Sequence, residues 1–179
     1  MTLAYVFWHW SAEAAPAYVE RLGAFHRALA SDPPRGFRSS RSFQVAGAPW
    51  LPRGAGFEDW YLIDDFAALG SLNEAAVAGS RRDPHDSVAG LAAGGSGGLY
   101  ALKSGRIGEE KHASWFGKPS GTSYPALFER MEPLVTEVGG ALWQRQMVLG
   151  PAPEFCLRSP SATALPPELK VLAVACGPV

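Results

Sequence analysis

The 179 residues, 47% of them apolar and 11% aromatic, supply enough hydrophobic surface for one or two packed domains and exclude a disordered chain. A formal charge of −1, with sixteen scattered Lys and Arg, leaves no basic face for a polyanion, so no nucleic-acid partner is expected. No run reaches the roughly 18 apolar residues of a spanning helix, and no basic segment leads into a long apolar stretch, so no membrane partner and a cytoplasmic location are expected.

Residues 3–10, LAYVFWHW, are rich in β-branched and aromatic side chains and read as a strand buried on both faces. A helix follows from Ala15–Pro16, with Tyr18, Leu22, Phe25 and Leu29 forming one apolar stripe, until the prolines of SDPPRG stop it. FRSSRSFQV (37–45) alternates as a second strand, with Phe43 and Val45 turned toward the helices and Ser40, Ser42 and Gln44 toward the other face. AGAPWLPRGAG is a loop and FEDWYLID a third strand, pairing with the second as a hairpin. A broken helical region covers 66–79 and 83–93, the latter capped by Asp83 before Pro84 and ended by GGSGG. LYALKSG (99–105) then makes a fourth strand, completing a β-α-β-β-α-β order.

The rest of the chain echoes this order. YVERLGAF (18–25) aligns without gaps to LFERMEPL (127–134), and GFRSSRSFQVA (36–46) to GALWQRQMVLG (140–150). The second match sets Gly36 over Gly140, Arg41 over Arg145, Phe43 over Met147 and Val45 over Leu149. HASWFGK, PEFCLRS and KVLAVACGP supply the remaining strands, and the last helix has shrunk to TALPPEL. A diverged internal repeat is the reading adopted, against the alternative that two amphipathic helices merely slide into agreement.

Two such halves in one chain resemble the dimeric α+β barrel superfamily, which includes antibiotic-biosynthesis monooxygenases and EthD-like and NIPSNAP-like proteins. The resemblance rests on element order and the repeat, without a family-specific motif. It implies an α+β fold of two tandem ferredoxin-like halves, residues 1–105 and 112–179 joined by a linker at 106–111, with antiparallel sheets facing each other and helices outside. The expected site is a wet or ligand-filled space between those sheets, because glutamines and serines facing a sheet interface need partners.

Several residues are candidates for that site. His9 is either a general base, an axial ligand or a hydrogen-bonded structural histidine. Arg41 and Arg145 either snorkel at the core edge or converge on a developing oxyanion. Gln44 and Gln146 would orient a substrate, and Trp60, Tyr61 and Trp143 would wall it, unless these rings are simply core. His26 reads as packing, His85 as solvated and His112 as exposed. Without metal-ligand spacing among the histidines, and with Cys156 and Cys176 in apolar runs, neither a metal nor a disulfide is expected. GGSGG leads from helix to strand, the wrong sense for a phosphate loop, and GLYALKSG lacks the basic-aromatic pattern of an RNA-recognition strand.

The function expected is therefore small-molecule binding with no bound cofactor, extending to a cofactor-independent monooxygenase or isomerase acting on a hydrophobic or aromatic compound. The alternatives are a non-catalytic binding protein, homodimeric through exposed sheet edges, and a haem protein with His9 as ligand.

Overall fold

Side chains alternate across a strand, so each strand here sends every second residue to one of two separate apolar layers. The computed structural model describes residues 1–11, 15–108, 111–148 and 152–178. Eight strands form one closed antiparallel barrel in the order β1-β3-β2-β8-β5-β7-β6-β4. They are β1 (Leu3–Ser11), β2 (Phe37–Ala46), β3 (Ala55–Ile63), β4 (Ala92–Gly105), β5 (His112–Phe116), β6 (Ala141–Val148), β7 (Phe155–Ser159) and β8 (Leu172–Pro178). Four helices, α1 (Ala15–Ser31), α2 (Phe66–Ala76), α3 (Arg82–Ala89) and α4 (Tyr124–Val138), complete the α+β fold.

The first four strands stand in the order β4-β1-β3-β2 and the last four in the order β8-β5-β7-β6, the same relative arrangement. Instead of two sheets facing across a gap, the halves are hydrogen-bonded edge to edge, β2 to β8 and β4 to β6. This closure removes the sheet edges on which the expected homodimer depended. Of the 106–111 linker, Glu109 and Glu110 lie outside the described residues; Arg106 N–H donates to Gly140 and Lys111 N–H to Ser159. Leu149, the proposed counterpart of Val45, also lies outside them.

The barrel interior is solid. Val6, Trp8, Phe43, Val45, Trp60, Tyr100, Trp115, Trp143 and Cys156 meet there, with Trp8 against Trp115 at 5.5 Å and Trp60 against Trp143 at 5.4 Å, both edge-on. Buried in it is the Glu58–Arg158 ion pair: Glu58 accepts from Trp8 Nε1 (2.8 Å), Trp60 Nε1 (2.7 Å) and Arg158 (2.9 Å). The Arg158 guanidinium lies 4.1 Å from the Phe43 ring centre. At one end, Arg41, Phe43, Trp60, Leu62, Ile107 and Trp143 leave about 10 Å³, no more than one water. The interior pocket expected from the sequence is filled by rings.

Two further layers lie outside the barrel. The stripe of α1 (Tyr18, Leu22, Phe25, Leu29) packs with Leu72 of α2 and Val88 of α3 on Phe57, Tyr61 and Leu99. On α4, Leu127, Met131 and Val135 cover Phe116, Leu142, Phe155 and Leu157. Ser123 caps α4 by accepting from Ala126 N–H, and Gly139 ends it in the left-handed region at φ 61°.

Three local expectations change. Phe43 and Val45 face the barrel interior, not the helices, because the interior offers rings to pack on, while Gln44 is exposed. Asp83 lies in the first turn of α3 rather than capping it, and Asp65 is the residue that caps α2, accepting from Ala68 N–H at 2.9 Å. GGSGG does not end a helix; it is part of the 14-residue β4. A Cβ at Gly95 would strike the Phe7 ring, and at Gly97 it would lie 2.9 Å from Tyr5, so glycine is what lets those rings lie against the strand.

Candidate active site

On the outer face of the first half, odd residues of β1 and β3 point toward the helices: Tyr5, Phe7 and His9 from one strand, Phe57, Asp59 and Tyr61 from the other. Here α2 and α3 stand off from the sheet and leave a cleft of about 740 Å³, well within the size range of small-molecule sites. Leu22, Phe25, Leu69, Leu72 and Val88 line its apolar walls, the Gly94–Gly95 ledge of β4 borders it, and Asn73 and His85 add polar edges. The cleft thus lies between sheet and helices, on the opposite side of the sheet from the expected position.

A connected polar cluster sits on its floor. His9, 2% exposed, has Nδ1 2.5 Å from the Tyr18 hydroxyl and Nε2 3.1 Å from Asp59 Oδ2. Tyr61 donates its hydroxyl to the same oxygen at 2.8 Å, and His26 Nε2 lies 3.3 Å from it. The other nitrogen of His26 is 2.6 Å from Ser40 Oγ. Stacking fixes both imidazoles in plane: His9 lies against Phe7 and Phe57, and His26 against Tyr61 at an interplanar angle of 8°. Asp59 is 1% exposed, and its Oδ1 has no hydrogen-bond partner among the described residues.

The electrostatics follow from this burial. Desolvation alone would push the Asp59 carboxyl up, but the neighbouring His9, hydrogen bonds from His26 and His9, and the His26 charge together hold it well below the usual carboxylate range. The tyrosines shift the other way. Burial first, then the Asp59 charge, raises Tyr5, Tyr18 and Tyr61, so all three remain neutral phenols under ordinary conditions.

An ionised carboxylate beside an imidazole orients the ring and stabilises the imidazolium that forms when the ring takes a proton, as in a catalytic triad. With Nε2 facing Asp59, Nδ1 is the nitrogen that exchanges a proton, and the atom it meets is the Tyr18 hydroxyl, which itself lines the cleft. The cluster can therefore take a proton from a bound molecule through Tyr18. Both His9 nitrogens lie within 3.1 Å of protein partners, so neither is presented as a haem ligand. Among the described residues no group of three His, Cys, Asp or Glu has the arrangement to hold a metal ion.

Of the residues anticipated from sequence, the structure brings His9 and Tyr61 together. Trp60 and Trp143 are buried in the barrel interior. Arg41 donates to the Gly108 carbonyl and Arg145 to that of Ala152, so each is tied to a separate loop rather than converging on an oxyanion. Gln44 and Gln146 are exposed outside the cleft. Sequence reasoning missed Tyr18, concealed in the apolar stripe of α1; Asp59, one of two acids inside a strand; and His26, assigned to packing. The available signal was parity: in the antiparallel pair His9 and Asp59 share a face.

The fold has solved counterparts. An anthrone oxidase-like protein superposes with a TM-score of 0.53 and 7% identity, over 89% of this chain and 73% of its own. A provisionally named monooxygenase from Lactobacillus acidophilus NCFM superposes with a TM-score of 0.52 and 10% identity, over 88% and 75%. At these identities the likeness is one of fold alone. No protein-family model matches the chain, and no curated protein does. No helix is long and apolar enough to cross a membrane among the described residues.

Proposed function

We propose that this chain is a tandem ferredoxin-like barrel that binds a hydrophobic aromatic compound in the helix-side cleft and begins its oxidation or isomerisation by removing a proton. The repeated strand order supports the tandem reading, together with the matching apolar faces of α1 and α4. The observation that carries the chemistry is His9, buried at the cleft floor between Asp59 and the Tyr18 hydroxyl.

In this reading Tyr18 passes its own proton to His9 Nδ1 as it accepts one from an activated ring carbon or hydroxyl, and Asp59 stabilises the resulting imidazolium. In the isomerase version the proton returns to a different atom. In the oxygenase version the carbanion of an activated ring CH₂ reduces dioxygen, one oxygen atom becoming a ring carbonyl and the other leaving in water. The electrons come from the substrate, so the chain's residues need only bind, orient and move the proton. The names of the two structural counterparts lend this version support.

The test is oxygen uptake and absorbance change with a panel of anthrones, quinols and aromatic ketones. The expected result is turnover by the wild-type chain and a loss of roughly 10²-fold or more in His9→Ala, with ligand-induced thermal stabilisation retained. Equal turnover by His9→Ala would remove the assigned base; binding without turnover in the wild type would favour a non-catalytic carrier.

A further inference from the structure

The cleft has an uneven charge composition. Among its described lining residues there is no lysine or arginine, while its floor holds the buried Asp59 carboxylate, kept ionised by its surroundings. One oxygen of that carboxylate is saturated: Oδ2 receives Tyr61 and has both imidazoles beside it. The other, Oδ1, is buried and has no hydrogen-bond partner among the described residues, a costly state for an anionic acceptor. The titratable groups around it come from four elements, and two of their atoms, His9 Nε2 and His26 Nε2, stand near Oδ2 without hydrogen-bond geometry. Tyr5 and His9 come from β1, Tyr18 and His26 from α1, Tyr61 from β3, and His85 from α3 with its own partner Asp86 at 3.0 Å. None of these is a lysine or arginine.

We infer that Asp59 is a specificity determinant of the cleft, selecting uncharged ring compounds that carry a hydrogen-bond donor for Oδ1 and excluding anionic ones. This rests on the cleft being the ligand site proposed above and adds the charge and hydrogen-bonding class of what enters it. A neutral phenol or N–H would satisfy this buried, unpartnered acceptor. An aromatic carboxylate would bring a second anion against a buried one without a guanidinium or ammonium to offset it. The three tyrosines on the same floor behave as a bound phenol would: burial and the Asp59 charge keep each of them protonated.

Three probes of one ring size separate the contributions: 2-naphthol, 2-methoxynaphthalene and 2-naphthoate, titrated by calorimetry against the intact chain at about pH 8, above the ordinary histidine range. The expected order is 2-naphthol tightest, 2-methoxynaphthalene weaker by roughly ten- to a hundredfold for the lost charge-assisted hydrogen bond, and 2-naphthoate weakest. In Asp59→Asn the advantage of 2-naphthol over 2-methoxynaphthalene should fall to a few-fold and 2-naphthoate should gain affinity. Should that variant fail to fold, the wild-type order alone decides. Binding of 2-naphthoate equal to or tighter than 2-naphthol overturns the charge selection, and equal binding of the methoxy compound overturns the role of Oδ1; in both cases the cleft would still be a ring-binding site. Failure of all three to bind would overturn the ligand-site reading as well.

Discussion

Glu58 and Asp59 are adjacent on β3, and their opposite parity gives them different tasks. Asp59 serves the cleft, while Glu58 is 0% exposed inside the barrel and ties Trp8, Trp60 and Arg158 to one point. A buried pair of this kind contributes little net stability compared with well-packed apolar residues, yet losing one partner leaves an uncompensated charge. Arg158→Met should therefore destabilise the chain by about 3–5 kcal/mol in urea unfolding, and adding Glu58→Gln to the same chain should recover a large part of the loss. Additive losses in the double variant would show that the two residues act separately. Sequence made His9 conspicuous, and strand parity sets it on the same face as Tyr5 and Phe7. It could not reveal which acid of the Glu58–Asp59 pair would meet it, because that depends on which face the helices cover. Nor did spacing separate Arg41 and Arg145 from a convergent pair; only the loop carbonyls they bind do so.

Strand β4 illustrates the same difficulty for a whole element. Glycine clusters ordinarily break elements, and GGSGG reads as the stop of a helix, whereas here it lies in the first half of the longest strand. The cause is tertiary: aromatic rings from β1 occupy the space where β4 would carry side chains, so the explanation resides in Tyr5, Phe7 and Trp10, about ninety residues away in sequence. By contrast, the stripe of α1 was legible, because a helix stripe repeats locally and needs no partner to be read. This view of β4 makes a definite prediction. In Gly95→Ala the new methyl would meet the Phe7 ring, which must swing into the cleft or shift the strand. Thermal and urea unfolding should register a loss of about 1–3 kcal/mol, and the affinity for 2-naphthol should fall. Adding Phe7→Ala should restore binding in part by clearing the ring. Gly117→Ala, where nothing lies within 4 Å of the added carbon, should change neither property.

For the molecule as a whole, closure decides how the parts depend on one another. The mixture of helices and strands was readable from the chain, but the manner of joining was not: hydrogen bonding between β2 and β8, and between β4 and β6, has no local signature. Through these seams each half covers the other's aromatic interior, with Trp8, Trp60 and Tyr100 from the first set against Trp115 and Trp143 from the second. Among the described residues the closed barrel leaves no open sheet edge, and the intact chain is expected to sediment as a monomer. Residues 1–105 alone would keep the cleft-forming strands and helices but expose two unpaired edges, on β2 and β4, and the apolar face between them. Such a surface favours pairing with another copy. In analytical ultracentrifugation the fragment should run as a dimer or larger species at micromolar concentration, and adding residues 112–179 should convert it to a one-to-one complex of the intact chain's mass. A folded fragment that stays monomeric and ignores its complement would mean that the cleft half is self-sufficient and that the seams are not what holds the barrel together.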